Sequence, residues 1–396
     1  MRLPTGLGSI PWMFVSDSHL PQLLAPEAYR SVEQHDREFE RLFARGWHMV
    51  CTTADLPRDG DYVTLRLGAI PLLVRRCGGD VRTFLNVCAH RYCELTSSPR
   101  GHDPAFACQY HGWEYDESGN TRRIPDAPSF KPLQKGMLCL TSYRTALCGQ
   151  LVFVSLDPEG PDLAAFLGES HAVYARLFSD RYEQVVAWDR ECDANWKVGV
   201  ENGLESYHVS CVHAGTFGVT PDAADCHHEL RDDHTVFRTP ASQPGSWLAA
   251  AEEAFATGIG DTPTHDYMNL RTYPSLTCSR TDTVTFVQSI LPLGPTRSVH
   301  IYRLFMPRVG SGSVWNRLTH WWWRPRLAAY WRAVFAEDHV ILPRIQNGLN
   351  SPMVPRGGVV SAREERIFHF QRYVVDHCGG GVEATPAAAA AGEMRR

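Results

Sequence analysis

Hydrophobic positions change their period several times along the 396 residues, and each change marks an element. From Pro26 to Arg45, the residues Tyr29, Val32, Phe39, Leu42 and Phe43 recur at helical spacing among charges. That pattern predicts a helix ended by Gly46. Short β-rich runs follow at Tyr62–Leu67, Ile70–Arg76 and Val81–Val87, punctuated by Asp59-Gly60, Leu67-Gly68 and Gly78-Gly79-Asp80. Runs of this length between such residues read as strands joined by tight turns. Ser118-Gly119-Asn120 marks another turn, and Leu151–Leu156 is a last strand before Asp157-Pro158-Glu159-Gly160. Val50 to Val154 therefore reads as one β module.

Beyond it, Ala164–Leu177 has helical spacing, Tyr182–Ala187 reads as a strand, and Trp196–His208 has helical composition. Phe217 to about Asp261 shows no sustained period. Val284–Leu293 and Arg297–Met306 are strand-like around Pro292-Leu293-Gly294-Pro295 and suit a second sheet. Arg326–Leu349 is a long helical pattern interrupted by Pro343, and Arg363–Val375 is a further helix. Met1–Leu24 reads as Pro-rich and extended, and the Gly- and Ala-rich stretch Gly379–Arg396 as a disordered tail.

Composition narrows the function classes. A net charge of -5 without basic runs offers nothing to nucleic acid or an anionic membrane. No stretch approaches the length of a transmembrane helix, and Met1–Gln22 lacks a secretory apolar segment. The expectation is a cytoplasmic chain whose 12 cysteines are mostly reduced core residues.

Four Cys and His residues need a different account. Cys88-Ala89-His90 is followed, seventeen residues later, by Cys108-Gln109-Tyr110-His111-Gly112-Trp113. Two hairpin tips can bring the halves to one metal centre. Cys₂His₂ can hold a structural zinc, or a [2Fe–2S] cluster with thiolates on one iron and imidazoles on the other. Zinc fingers pair Cys with Cys and His with His; here each half is mixed, which fits the cluster better. Downstream, His208 and His213 lie five positions apart, with Glu205 three before the first. Two His plus one carboxylate is the ligand set of open-faced ferrous sites. On one continuous helix a five-residue step turns through about 500°, leaving the rings roughly 140° apart. Both can serve one iron only if the helix ends between them. Glu205 and His208 share a helical face, which suits a carboxylate holding the imidazole through its outer nitrogen.

The runs Asn86-Val87-Cys88-Ala89-His90-Arg91 and Cys108-Gln109-Tyr110-His111-Gly112-Trp113-Glu114-Tyr115 resemble the Rieske motif of the Rieske non-haem iron oxygenases, α-subunit type. Asn195-Trp196-Lys197 and Glu201-Asn202-x-x-Glu205-x-Tyr207-His208-x₄-His213 resemble that family's mononuclear iron motif. Glu337-Asp338, with Gln346-x-Gly348-Leu349, resembles its C-terminal helix. The likeness covers about residues 20–375. Two departures near the cluster are Gln109, where Pro is common, and Tyr92-Cys93, where Gly often follows the Arg.

The resemblance implies an α+β fold with a β-rich Rieske [2Fe–2S] domain beside a catalytic domain whose antiparallel sheet is flanked by helices. It divides the chain into an N-terminal segment (1–45), a Rieske domain (46–155), a catalytic domain (156–378) and the tail (379–396). It assigns Cys88, His90, Cys108 and His111 to the cluster, and His208, His213 and Asp338 to Fe(II). Asn202 joins the catalytic set, and Glu205 becomes the bridge to His111 of the neighbouring subunit in a homotrimer. Glu337, about 100° round the helix from Asp338, is expected not to ligate, and His227, His228 and His339 are left as spare imidazoles.

With no nucleotide-binding glycine motif in the chain, electrons are expected from NAD(P)H through a separate flavin or iron–sulfur reductase, with or without a ferredoxin. The implied function is the terminal oxygenase component, hydroxylating, or hydroxylating and dealkylating, a small organic substrate with O₂. Glu at the bridge, where many ring-hydroxylating enzymes carry Asp, leans the substrate towards a quaternary amine or other non-ring molecule. The alternative is an aromatic-ring cis-dihydroxylating large subunit. Remoter readings are a Rieske electron carrier and a zinc-stabilised binding protein. Trp321-Trp322-Trp323, with Trp315 and Trp331, are expected to pack at a core or subunit interface, a cation cage being the other reading.

Overall fold

The computed structural model describes residues 14–381, apart from 135, 217–218, 242–249, 251–252, 255, 258–261, 309–313 and 356–357. The fold is α+β, built on two seven-stranded sheets whose paired strands all run antiparallel. In the first, the spatial order is Trp47–Thr52, Leu151–Ser155, Ser142–Cys148, Asp80–Leu85, Ile70–Cys77, Asp61–Leu67, Arg100–His102. Leu67 pairs with Ile70 and Cys77 with Asp80, so two-residue loops close both hairpins. Gly78 and Gly79 both have positive φ (59° and 83°), as a type I′ turn between right-twisted strands requires.

The second sheet runs Tyr182–Cys192, Arg297–Pro307, Thr285–Gly294, Leu276–Arg280, Asp266–Thr272, His234–Pro240, His227–Leu230. One face, with Leu270, Cys278, Val287, Ile301 and Phe305, shares a core with Trp47, Met49, Val50 and Phe153 of the first sheet. Arg303, almost wholly buried, donates from Nε to Asp55 Oδ2 at 2.8 Å and is also paired to Asp189, tying the sheets together. The opposite face receives the long helix Val314–Leu349, whose Trp331, Val334 and Phe335 pack on Val186, Phe286 and Tyr302.

Several elements differ from the sequence pattern. The expected helix Trp196–His208 stops at Asn202. The Glu205 carboxylate accepts the N–H groups of Tyr207 and His208, and Arg366 takes the Leu204 carbonyl at 3.3 Å, which occupies the backbone that a continuing helix would use. The region expected to be irregular from Phe217 holds strands His227–Leu230 and His234–Pro240; their polar residues hid the alternation. Pro343 does not interrupt the long helix, because Gln346 anchors it one turn on, accepting the Asn195 N–H at 2.8 Å and donating to the Tyr29 carbonyl at 3.2 Å. The Ala164–Leu177 helix is split at Gly168 (φ 51°) into Leu163–Leu167 and Ser170–Leu177. The Pro26–Arg45 helix is a 3₁₀ turn Pro26–Tyr29, an α-helix Val32–Glu38 capped by Ser31, and a π turn Phe39–Phe43. Most of the expected tail, residues 382–396, lies outside the described residues. Among the described residues no helix is long and apolar enough to cross a membrane, and the 12 cysteines are unpaired.

Candidate metal centres

Cys88 and Cys108 open two loops of the same design. Cys88 N–H bonds the Cys93 carbonyl (2.8 Å) and Tyr92 N–H returns to the Cys88 carbonyl (3.1 Å). Cys108 N–H bonds the Trp113 carbonyl (2.8 Å) and Gly112 N–H returns to the Cys108 carbonyl (2.9 Å). The fifth residue of each loop is left-handed, Gly112 at φ 68° and Tyr92 at φ 61°. Tyr92 thus sits in a backbone conformation that glycine adopts freely, which locates the departure noted in the sequence.

Both thiols are buried, and the His90 and His111 rings meet at 4.7 Å between centroids. Trp113 stacks flat on His90 at 4.7 Å. Tyr115 Oη accepts the Ala89 N–H (3.0 Å) and lies 3.0 Å from Cys88 Sγ. Burial, then the neighbouring His111 and Arg91, lower the His90 pKa and so favour the neutral imidazole that ligation needs.

The types of donor bear on the choice of metal. Among the described residues the one group of three or more ligand atoms lying within 4.8 Å of one another is His208, His213 and Asp338. Each Cys/His loop contributes one thiol and one imidazole, a mixed donor set that fits a two-iron cluster, whose thiolates and imidazoles bind different irons.

The second centre is assembled from separate elements. His208 and His213 flank a single helical turn, Val209–Val212, as its N- and C-caps. The helix therefore does not end between them, as the spacing argument required; both imidazoles sit at the ends of a short turn, with ring centroids 5.2 Å apart. Asp338 comes from the long helix. His213 Nε2 lies 3.2 Å and His208 Nε2 3.9 Å from Asp338 Oδ1. Asn202 Nδ2 donates to the same oxygen at 3.0 Å.

The outer nitrogens are engaged elsewhere. Glu205 contacts His208 Nδ1, and Glu337 Oε2 lies 2.8 Å from His213 Nδ1 while accepting from Thr216 Oγ1 at 2.7 Å. Carboxylates on Nδ1 fix the tautomer whose Nε2 lone pair is free for a metal. Burial lowers the His213 pKa, but Asp338 and Glu337 outweigh it and hold it above the ordinary value. Three carboxylates around two imidazoles make a field suited to a cation.

The helix Trp196–Asn202 that carries Asn202 is clamped from far upstream. Lys197 Nζ donates to Glu38 at 2.7 and 2.8 Å, Trp196 Nε1 to Glu38 at 2.8 Å, and Tyr29 Oη to Glu201 at 2.5 Å. Glu337, set aside in the sequence, is thus part of the site. The signal for it was that His213, like His208, needs a partner for its outer nitrogen. The spare imidazoles are placed elsewhere: His228 pairs with Glu365 at 2.9 Å, and His339 lies 3.4 Å from Tyr302 Oη. Trp331 is core, but Trp321, Trp322 and Trp323 are 75, 47 and 37% exposed, and the Arg326 guanidinium lies 3.7 Å from the Trp322 ring centroid. These three therefore do not pack in the core of the chain, and the Trp322 face is taken by Arg326.

Comparison with known proteins follows the same division. The chain is 33% identical to the chlorobenzene dioxygenase subunit alpha of Cupriavidus sp. (strain PS12) over 212 residues, covering 50% of this chain and 46% of that protein. It is 27% identical to the chloroplastic choline monooxygenase of Spinacia oleracea over 365 residues, covering 89% and 77%. The chain thus spans about half the length of several dioxygenase relatives that it matches. In fold it resembles the quaternary ammonium Rieske monooxygenase CntA (TM-score 0.72, 20% identity, 90% of this chain and 95% of that one). It resembles naphthalene 1,2-dioxygenase similarly (0.69, 20%, 89% and 92%). The Rieske [2Fe–2S] domain model matches residues 46–143, and the ring hydroxylating alpha subunit (catalytic domain) model matches residues 179–380, just over half of the chain. These domain types carry a Rieske cluster and a mononuclear iron, and the chain belongs to the ring hydroxylating alpha subunit family.

Proposed function

We propose that this chain is the terminal oxygenase of a multicomponent Rieske system. Cys88, His90, Cys108 and His111 hold the [2Fe–2S] cluster, and His208, His213 and Asp338 hold Fe(II). Residues 46–155 form the electron-carrying domain and 156–378 the catalytic domain, on which the N-terminal segment packs through residues such as Val15, Ser16 and Leu23. The observation that carries the reading is the orientation of the two imidazoles: each has Nδ1 against a carboxylate and Nε2 towards Asp338.

When bound, the cluster supplies single electrons and the mononuclear iron supplies O₂ activation. The side chains do the rest. Glu205 holds the His208 ring by Nδ1, and Glu337 with Thr216 does the same for His213. Asn202 fixes one carboxylate oxygen of Asp338. His111, exposed at the cluster end of the chain, faces Glu205 of the partner subunit in a homotrimer, so that Glu205 joins the two imidazoles across the interface. Electrons reach the cluster from NAD(P)H through a separate reductase, with or without a ferredoxin. The substrate is a small organic molecule, oxygenated by hydroxylation or cis-dihydroxylation.

The test is substrate-dependent NADH and O₂ consumption by the purified chain with a reductase across a compound panel. Glu205→Ala, loaded with excess Fe(II) to offset the weaker hold on His208, keeps both iron centres and loses nearly all turnover. A variant with wild-type turnover refutes the bridge.

A further inference from the structure

The face of the second sheet that meets the iron-bearing helices is unusually polar for a buried surface. Strand pairing sets Thr277 opposite both Arg271 and Gln288, and Gln288 opposite Tyr302; directly opposed side chains share a face. His300 follows on the Tyr302 strand, two residues before it. Arg271, Thr277, Gln288, His300 and Tyr302 are all buried. Part of this face is internally satisfied: His300 Nδ1 lies 3.3 Å from Tyr302 Oη, which lies 3.4 Å from Nε2 of His339, the neighbour of Asp338.

Arg271 is the exception. It is fully buried, and its one hydrogen bond runs from Nη2 to the Val200 carbonyl at 3.3 Å. Arg271 Nε and Nη1, and Thr277 Oγ1 opposite, have no partner. The nearby Arg366 shows what a structural guanidinium looks like here: Nε donates to Thr235, Nη1 to the Leu204 carbonyl and Nη2 to Asn269. A buried charge with unused donors is strongly destabilising, and burial of a polar group without a partner is rare enough to require an explanation. Burial, then repulsion from Arg366, lowers the Arg271 pKa to about 9, which leaves the guanidinium charged at neutral pH.

Its position points towards the mononuclear centre. A Cβ placed on Gly203, next to Asn202, would lie 2.5 Å from Arg271 Nη2, the nitrogen already bonded to Val200, so the partnered end of the guanidinium packs on the helix that carries Asn202 and the free Nε and Nη1 edge is left for a ligand. Across the face, Thr277 stands opposite Gln288 and Gln288 opposite Tyr302, whose Oη lies 3.4 Å from Nε2 of His339, the residue after Asp338. Unused donors and an unmatched positive charge therefore lie on the same face as the groups that lead to Asp338.

We propose that the substrate is a small organic carboxylate, its acid group held by the free edge of the Arg271 guanidinium beside Thr277. Gln288 and Tyr302 then direct its other end towards His208, His213 and Asp338. This names the substrate class of the oxygenase reading above and rests on it. A bare quaternary ammonium ion is disfavoured, because it would meet a buried cation.

Calorimetry on the iron-loaded chain tests the assignment, with benzoate, phenylacetate and hexanoate each set against its own amide and with benzyltrimethylammonium as the bare cation. At least one acid is expected to bind tenfold or more tighter than its amide, and the cation not to bind. Arg271→Gln erases the acid preference and Arg271→Lys retains part of it. Iron content and the visible spectrum of the same samples separate the two claims, since a colourless, iron-free protein defeats the oxygenase reading itself. A coloured protein with both irons that binds no acid better than its amide, or whose preference survives in Arg271→Gln, overturns the carboxylate pocket. A lower melting temperature in Arg271→Gln with unchanged preference assigns Arg271 to capping the Trp196–Asn202 helix and also overturns it. If Arg271→Gln does not fold, the wild-type comparison of acids with amides decides.

Discussion

The two proposed metal centres are built in opposite ways. The Cys/His centre uses two copies of one six-residue loop, each closed by its own backbone hydrogen bonds and each supplying one thiolate and one imidazole. The His/His/Asp centre has no local frame of that kind. Its imidazoles cap one turn of helix, its carboxylate comes from a helix more than a hundred residues downstream, and its supporting helix is clamped by Glu38 and Tyr29. A local centre should report damage to itself, whereas a centre assembled by tertiary packing should report damage at a distance.

Exchanging one ligand at each centre has the largest expected effect. Asp338→Ala removes the mononuclear iron while the visible absorption of the cluster persists. Cys108→Ser bleaches that absorption. Metal analysis with absorption spectra reads both, and unchanged total iron in Asp338→Ala excludes that residue as the ligand.

Next comes the partner of the outer nitrogen. Glu337→Gln keeps the size of the side chain but weakens its hold on His213. A loss of about 10–100-fold in Fe(II) affinity is expected, with the cluster untouched. Chelator competition measures it, and wild-type affinity would make Glu337 a bystander.

The last test, on stability and not on metal or turnover, concerns the clamp. Burial raises the Glu201 pKa to about 7, against relief from Tyr29, Gln371 and Lys197. The folded chain thus keeps this proton after the unfolded chain has lost it. Stability contributed by the protonated form is complete below the ordinary value of 4.5 and falls as pH rises from there to about 7. The loss is at most about 3 kcal/mol. Glu201→Gln should flatten this part of the stability–pH curve in denaturant titrations, and an unchanged slope would remove Glu201 from the account.

The same contrast explains what was legible in the sequence. Between Val50 and Val154 turn glycines and short β runs marked the main hairpins, and each cluster residue lay beside another. His208, His213 and Asp338 were nameable as a set only through resemblance, because two ligand types and a distant Asp on a helix carry little local signal. The end of the Trp196 helix was hidden because a side chain, Glu205, takes the backbone donors that composition leaves to the helix. Strands His227–Leu230 and His234–Pro240 were hidden because their buried face is partly polar, with His228 and Thr235 spent on Glu365 and Arg366. Arg271 gave no signal at all, since its isolation exists only once the sheet and the helix Trp196–Asn202 meet.

The central claim is that one chain holds two kinds of iron centre. The most direct measurement is metal analysis together with low-temperature electron paramagnetic resonance of the reduced protein, on one sample. The account predicts a brown protein with about three irons per chain and a Rieske-type signal. A colourless protein containing zinc, with no such signal on reduction, would contradict it.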